Sequence, residues 1–93
     1  MTLEKLYKII QDRRQKMPER SYVAALFKAG EDRIIQKIGE EATEVVIAAK
    51  NKGGKKIIAE VADLWFHSLV LLVWLGLDTE DIYRELEQRN KLA

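Results

Sequence analysis

Five acidic residues carry the chemical interest of this chain. Glu40, Glu41 and Glu44 sit in the run IGEEATEVV, and Glu60 and Asp63 in IAEVADLW. At about 100° per residue, Glu41 and Glu44 are neighbours at i,i+3 on one helix flank, with Lys37 one turn before Glu41 on the same side. Glu40 lies further round towards solvent. Glu60 and Asp63 are also at i,i+3, with Lys56 one turn before them and His67 one turn after. The second pair falls in the most apolar part of the chain, Ile57 to Leu77, where a solvated face is hardly available. An isolated buried carboxylate costs several kcal/mol unless it is paired, protonated or bound to a metal.

The turn signal NKGGK between the two acidic runs is short enough to make an antiparallel helical hairpin. Both pairs lie at similar distances from that turn, so Glu41, Glu44, Glu60 and Asp63 are expected at one height, facing each other. Four ionised carboxylates in a partly buried cleft repel, and a divalent cation removes the repulsion. An all-oxygen set suits Mg²⁺, with Mn²⁺ as a substitute, rather than zinc. Such a cation commonly serves phosphate chemistry, bridging phosphate oxygens and activating water. The remaining phosphate charge needs cations: Lys37 first, then Lys28, Arg33, Lys50 and Lys56, with Arg13 and Arg14 weaker. His67 reads as a hydrogen-bonded core histidine rather than a ligand. There is no Walker A run and no dinucleotide glycine fingerprint. No Ser/His/Asp nucleophilic arrangement stands out, so water is the expected nucleophile.

The elements that must position these residues read as all-α. Leu3, Leu6, Tyr7 and Ile10 repeat at helical spacing after Thr2, a plausible N-cap, and that helix should stop before Pro18. PERSYVAALFKAG is expected as a loop with one short helical turn. A second helix spans Glu31 to Asn51, with Ile34, Ile35, Ile38, Ala42, Val45, Val46 and Ala49 as its apolar face. A third runs from near Lys55 to Gly76. The fourth starts at Asp78, with Asp81 as its capping-box partner and Leu77 and Ile82 at the staple positions. The expectation is a four-helix, bundle-like single domain over residues 1–93. Ile47 projects away from the main apolar face, and the third helix is apolar nearly all round from Val61 to Leu77. Both features predict a chain completed by homodimerisation or a higher homo-oligomer.

The totals agree with a small soluble domain. Ninety-three residues, 47% apolar and 33% charged, can build a core and stay in solution. Sixteen basic against fifteen acidic residues give +1, which speaks against nucleic-acid or membrane-surface binding. The chain has no cysteine, so disulfides and thiolate metal sites are excluded and a cytoplasmic setting is compatible. MTLEKLYKII lacks the apolar stretch of a signal peptide. The run Leu64 to Leu77 is shorter than the roughly 18–20 residues of a membrane span and is broken by His67 and Ser68.

The spacing Glu40-Glu41-x-x-Glu44, fifteen residues, Glu60-x-x-Asp63 resembles the signature of the all-α nucleoside triphosphate pyrophosphatases, the MazG-like superfamily. Within it, RSYVAALFKAGEDRIIQKIGEEATEVVIAAK (Arg20 to Lys50), EVADLWFHSLVLL (Glu60 to Leu72) and ELEQR (Glu85 to Arg89) resemble the phosphoribosyl-ATP pyrophosphatases of histidine biosynthesis. The resemblance implies Mg²⁺-dependent hydrolysis of phosphoribosyl-ATP to phosphoribosyl-AMP and pyrophosphate. It implies that Glu41, Glu44, Glu60 and Asp63 hold the metal, and that Glu40 serves a second ion or orients the attacking water. It also implies that Lys37 faces the phosphates and that Ser21 and Tyr22 touch the substrate. Val23 stands where many relatives of this type have threonine. Two other readings compete: a house-cleaning nucleotide pyrophosphatase with the same carboxylates, and a non-catalytic helical dimerisation module in which Glu60 and Asp63 pair with lysines such as Lys56.

Overall fold

Local capping chemistry sets the helix ends. In the computed structural model, which describes residues 1–90, the Thr2 hydroxyl accepts from the Lys5 amide at 3.1 Å and opens α1 (Leu3–Lys16). α1 ends at Met17, whose left-handed φ of 48° turns the chain just ahead of Pro18. Ser21 accepts from the Ala24 amide at 3.1 Å and opens α2 (Tyr22–Ala29). The expected loop with one turn is thus an eight-residue helix, and the described residues form five helices rather than four. The physical reason is burial. Val23, Leu26 and Phe27 lie on one face at helical spacing and all three are buried, which stabilises a helix too short to persist alone.

Gly30, with φ of 101°, breaks α2 from α3 (Glu31–Lys50). A tight turn through Asn51, Lys52 and Gly53 leads to α4 (Gly54–Leu75). The left-handed residue of that turn is Lys52, with φ of 54°, and neither glycine takes it. Its amide and that of Gly53 donate back to the carbonyls of Ala49 and Ala48, which satisfies two of the acceptors that the end of α3 would otherwise leave open. Gly76, with φ of 74°, closes α4, and Asp78 opens α5 (Thr79–Gln88) with the full capping box to Asp81.

α3 and α4 form the antiparallel hairpin that the turn predicts, and α1 and α2 wrap the end remote from it. The core there is Ile10, Val23, Leu26, Phe27, Ile34, Leu69, Val70 and Val73, flanked by Leu6, Phe66 and Trp74. Arg14 donates to the Val73 carbonyl at 2.6 Å and lies over the rings of Phe27 and Trp74. These contacts tie the end of α1 to α2 and α4. Tyr7 donates to the Leu77 carbonyl at 2.8 Å and ties α1 to the α4–α5 junction.

The buried stripe of α3 differs from the predicted one. Ile34, Glu41 and Ala48 are buried, with Ile38 and Val45 partly so, whereas Ile35, Val46 and Ala49 are exposed. α3 therefore turns its Glu41 flank towards α4, because only that flank completes the core and the hairpin together. α4 as a whole, unlike the shorter run Leu64 to Leu77, is long and apolar enough to cross a bilayer by length and composition alone. It is nevertheless the partner of a strongly charged helix, and its first half holds carboxylates.

Candidate active site

The hairpin brings together the residues that matter most. One carboxylate oxygen each from Glu41, Glu60 and Asp63 lies within 4.8 Å of the other two. Glu41 is buried, at 8% exposed; Glu60 is largely covered; Asp63 opens to solvent. The three thus line a cleft that is closed on the α3 side and open on the other. Glu44 lies one turn after Glu41, is exposed, and stands outside the converging three.

Basic side chains surround the acids. Lys37 is gripped by two carboxylates, 3.2 Å from Glu40 and 3.2 Å from Glu41. Its ammonium is held above the usual lysine range, chiefly by the hydrogen bond to Glu41, against the cost of burial, with Glu40 and the nearby Tyr22 phenol adding to the effect. Glu40 is held below the usual carboxylate range, chiefly by its hydrogen bond to Lys37, with Arg33 at 3.4 Å assisting. Lys56 reaches Glu60 at 3.6 Å, the pairing that a purely structural module requires. Its side chain is mostly exposed, so the pair is worth little and leaves Glu60 available.

The donor set suits a hard cation. All three groups are carboxylates, with no nitrogen or sulfur ligand in the group. An octahedral Mg²⁺ with oxygens at about 2.1 Å accepts ligand oxygens up to about 4.2 Å apart. The three oxygens lie within 4.8 Å of one another, close to that range, and the exposed Asp63 has the freedom to adjust.

The remaining predicted residues scatter. Ser21 spends its oxygen on capping α2, which leaves its hydroxyl proton free. Tyr22 follows it and meets α4: its hydroxyl lies 2.8 Å from Nε2 of His67. Lys50 is exposed at the end of α3, about 13 Å along the helix from Glu41. Val23 is buried in the core, so the residue at this position points away from the cleft. His67 is the core histidine expected, with Nδ1 2.7 Å from the Asp63 carbonyl. Its link to Tyr22 spans 45 residues and had no signal in the spacing.

Fold and site together define a class: an all-α domain whose helical hairpin gathers three carboxylates that could hold a metal ion. The chain belongs to the phosphoribosyl-ATP pyrophosphohydrolase family, which it matches over residues 3–90. It is similar to a phosphoribosyl-ATP pyrophosphatase of Pelotomaculum thermopropionicum, at 58% identity over 92% of this chain and 88% of the relative. A phosphoribosyl-ATP pyrophosphatase of Leptospira biflexa is 51% identical over 95% of this chain and 96% of its own. A histidine biosynthesis bifunctional protein of Gloeobacter violaceus matches at 46% identity over 97% of this chain but only 40% of the relative. The same domain is thus one part of a longer protein there.

Proposed function

We propose that this protein hydrolyses phosphoribosyl-ATP between its α and β phosphates, giving phosphoribosyl-AMP and pyrophosphate in histidine biosynthesis. The observation that carries the reading is the convergence of Glu41, Glu60 and Asp63 across the hairpin, in a chain of this family. In this reading residues 1–93 are one pyrophosphatase domain, the last three of which lie outside the described residues. Glu41, Glu60 and Asp63 hold Mg²⁺, or Mn²⁺ in its place, and Glu44 joins from the next turn of α3. Bound there, the cation neutralises phosphate charge and lowers the pKa of coordinated water.

The chain's own residues do the rest. Lys37 offers its ammonium to the phosphates when substrate displaces it from Glu40 and Glu41. Glu40, beside Glu41 on α3 and released from Lys37 by the substrate, orients the attacking water or serves a second ion. The water oxygen bonds to the phosphorus it attacks as the bridging P–O bond breaks. The bridging oxygen leaves with its electron pair on the departing phosphate group, and the water's protons pass to the phosphate products and solvent. Ser21 donates its free hydroxyl proton to the substrate, Tyr22 presents its ring, and Lys50 serves only a substrate group remote from the phosphates. The setting is the cytoplasm, as suits a diffusible nucleotide substrate, and the working unit is a homodimer or higher homo-oligomer.

The test is pyrophosphate release from phosphoribosyl-ATP with and without Mg²⁺, beside dATP and dUTP. Mg²⁺-dependent release from phosphoribosyl-ATP alone is expected. Release mainly from the deoxynucleotides would move the protein to house-cleaning pyrophosphatases. No release from any would leave a structural module.

A further inference from the structure

The one histidine of the chain is buried, and both of its ring nitrogens are engaged. Nδ1 faces the Asp63 carbonyl at 2.7 Å. A carbonyl only accepts, so Nδ1 carries the proton, and in the neutral ring Nε2 is left as an acceptor. The Tyr22 hydroxyl, 2.8 Å away, then donates to Nε2. Tyr22 is therefore held at its far end as well as by its backbone at the start of α2. Its ring stacks on Phe66, with centroids 6.3 Å apart and planes 28° apart, and meets the His67 ring edge-on. Even so, Tyr22 is 52% exposed, so one side of a clamped ring faces solvent. That ring is tied to the carboxylate group through its anchor: His67 hangs from the backbone of Asp63, one of the three converging acids.

We propose that His67 is a positioning residue that acts on the substrate through Tyr22. By accepting the phenol proton in a single tautomer, it fixes the Tyr22 ring as a platform on which the planar base of the nucleotide stacks. The Tyr22 hydroxyl is committed to His67 and donates nothing to the substrate. Stacking on a fixed aromatic ring avoids the cost of ordering it on binding. The chemistry at the phosphates stays with the carboxylates and Lys37, so His67 and Tyr22 belong to substrate binding rather than turnover. The inference rests on the pyrophosphatase reading for its substrate, but the Tyr22–His67 pair is testable without one.

Two measurements on the full chain decide it. Because the chain has one histidine, ¹⁵N-resolved NMR of its ring reads the tautomer directly. The protein should show Nδ1–H, and Tyr22→Phe should move the Nε2 resonance. An Nε2–H tautomer, or an Nε2 signal indifferent to Tyr22→Phe, overturns the pairing. In steady-state kinetics with phosphoribosyl-ATP, Tyr22→Phe and His67→Phe should each raise KM about three- to tenfold, the range one hydrogen bond supports, with kcat within about twofold. The double variant should be no worse than the weaker single. His67→Gln, which keeps an acceptor for the phenol, should return KM towards the parent value. Additive KM effects, or kcat falling with KM held, overturn the positioning role. Tyr22 is half-exposed, so its variant reports even if His67→Phe does not fold. An unmodified protein that does not turn over phosphoribosyl-ATP overturns the substrate assignment and the platform with it, while the tautomer still decides the pair.

Discussion

A buried carboxylate that faces two others and keeps a lysine at 3.2 Å is the group whose removal tests the proposed site most directly. Glu41 combines all of these, and removing its charge separates a metal enzyme from a structural domain. Glu41→Gln keeps the shape and leaves Lys37 its second partner, Glu40. We expect kcat/KM to fall by about 100-fold or more, equivalent to about 2.7 kcal/mol, while circular dichroism and the thermal midpoint stay close to the parent. A variant that keeps most of its turnover would remove Glu41 from the metal set. Away from the site, Asp12 shows how an ordinary ion pair behaves. It is held below the usual carboxylate range, chiefly by its hydrogen bond to Lys16, with Arg13 at 2.7 Å also lowering it. A depressed carboxylate contributes stability above its ordinary value of 3.8 and loses it as pH falls through the folded value. Asp12→Asn should therefore be slightly less stable than the parent at pH 7, and the gap should close by about pH 2, as urea titrations at the two pH values can check.

At the scale of elements, the two shortest helices, α2 and α5, depend on different things. α5 depends most on its cap: ten residues, little burial, and a reciprocal pair between Asp78 and Asp81 at 3.2 and 2.9 Å. Asp78→Ala should cost about 1 kcal/mol and lower the thermal midpoint by about 4–8 °C, with α5 amides losing protection from hydrogen exchange first. Loss of protection elsewhere before α5 would contradict that. α2 makes the complementary point. Its sequence carried the signals of a helix, a serine cap followed by apolar residues at i,i+3,i+4, but eight residues are marginal without tertiary contacts. The packing of Val23, Leu26 and Phe27 decided the matter.

The whole molecule is more open than its length requires. Its radius of gyration is 14.4 Å, against about 12.3 Å expected for a compact chain of this size. The half of the hairpin near the turn is where cover is missing: Ile58 is 73% exposed, and Val46 and Ile47 are exposed beside it. A separate apolar groove of about 530 Å³, lined by Ile38, Trp65, Leu69, Leu72, Ile82 and Leu86, runs between the hairpin and α5. Two exposed apolar surfaces of this kind favour a second copy over water. Light scattering should give at least twice the 10.8 kDa of one chain, and Trp65→Asp should shift it to the single-chain mass with a lower melting temperature. A single-chain mass for the parent protein would leave the groove without this occupant.

What the sequence determined by itself is what depends on neighbours along the chain. The Thr2 and Asp78 caps, the stops at Pro18 and Gly76, the hairpin at NKGGK and the all-α class all follow from local rules of capping, turn chemistry and 3.6-residue spacing. The acidic pairs were legible for the same reason, since i,i+3 spacing puts each pair on one side of its helix and a short turn sets the two pairs at one height. Rotation about the helix axis is different, because it is set by which side chains fill the core. Only tertiary packing turned α3 by its Glu41 flank, buried Ala48 rather than Ala49, and gathered Glu41 with Glu60 and Asp63 while leaving Glu44 outside. Only tertiary packing, too, carried Tyr22 to His67 across 45 residues. No local rule links residues that far apart; the free energy that joins them comes from the core formed between α1, α2 and the hairpin.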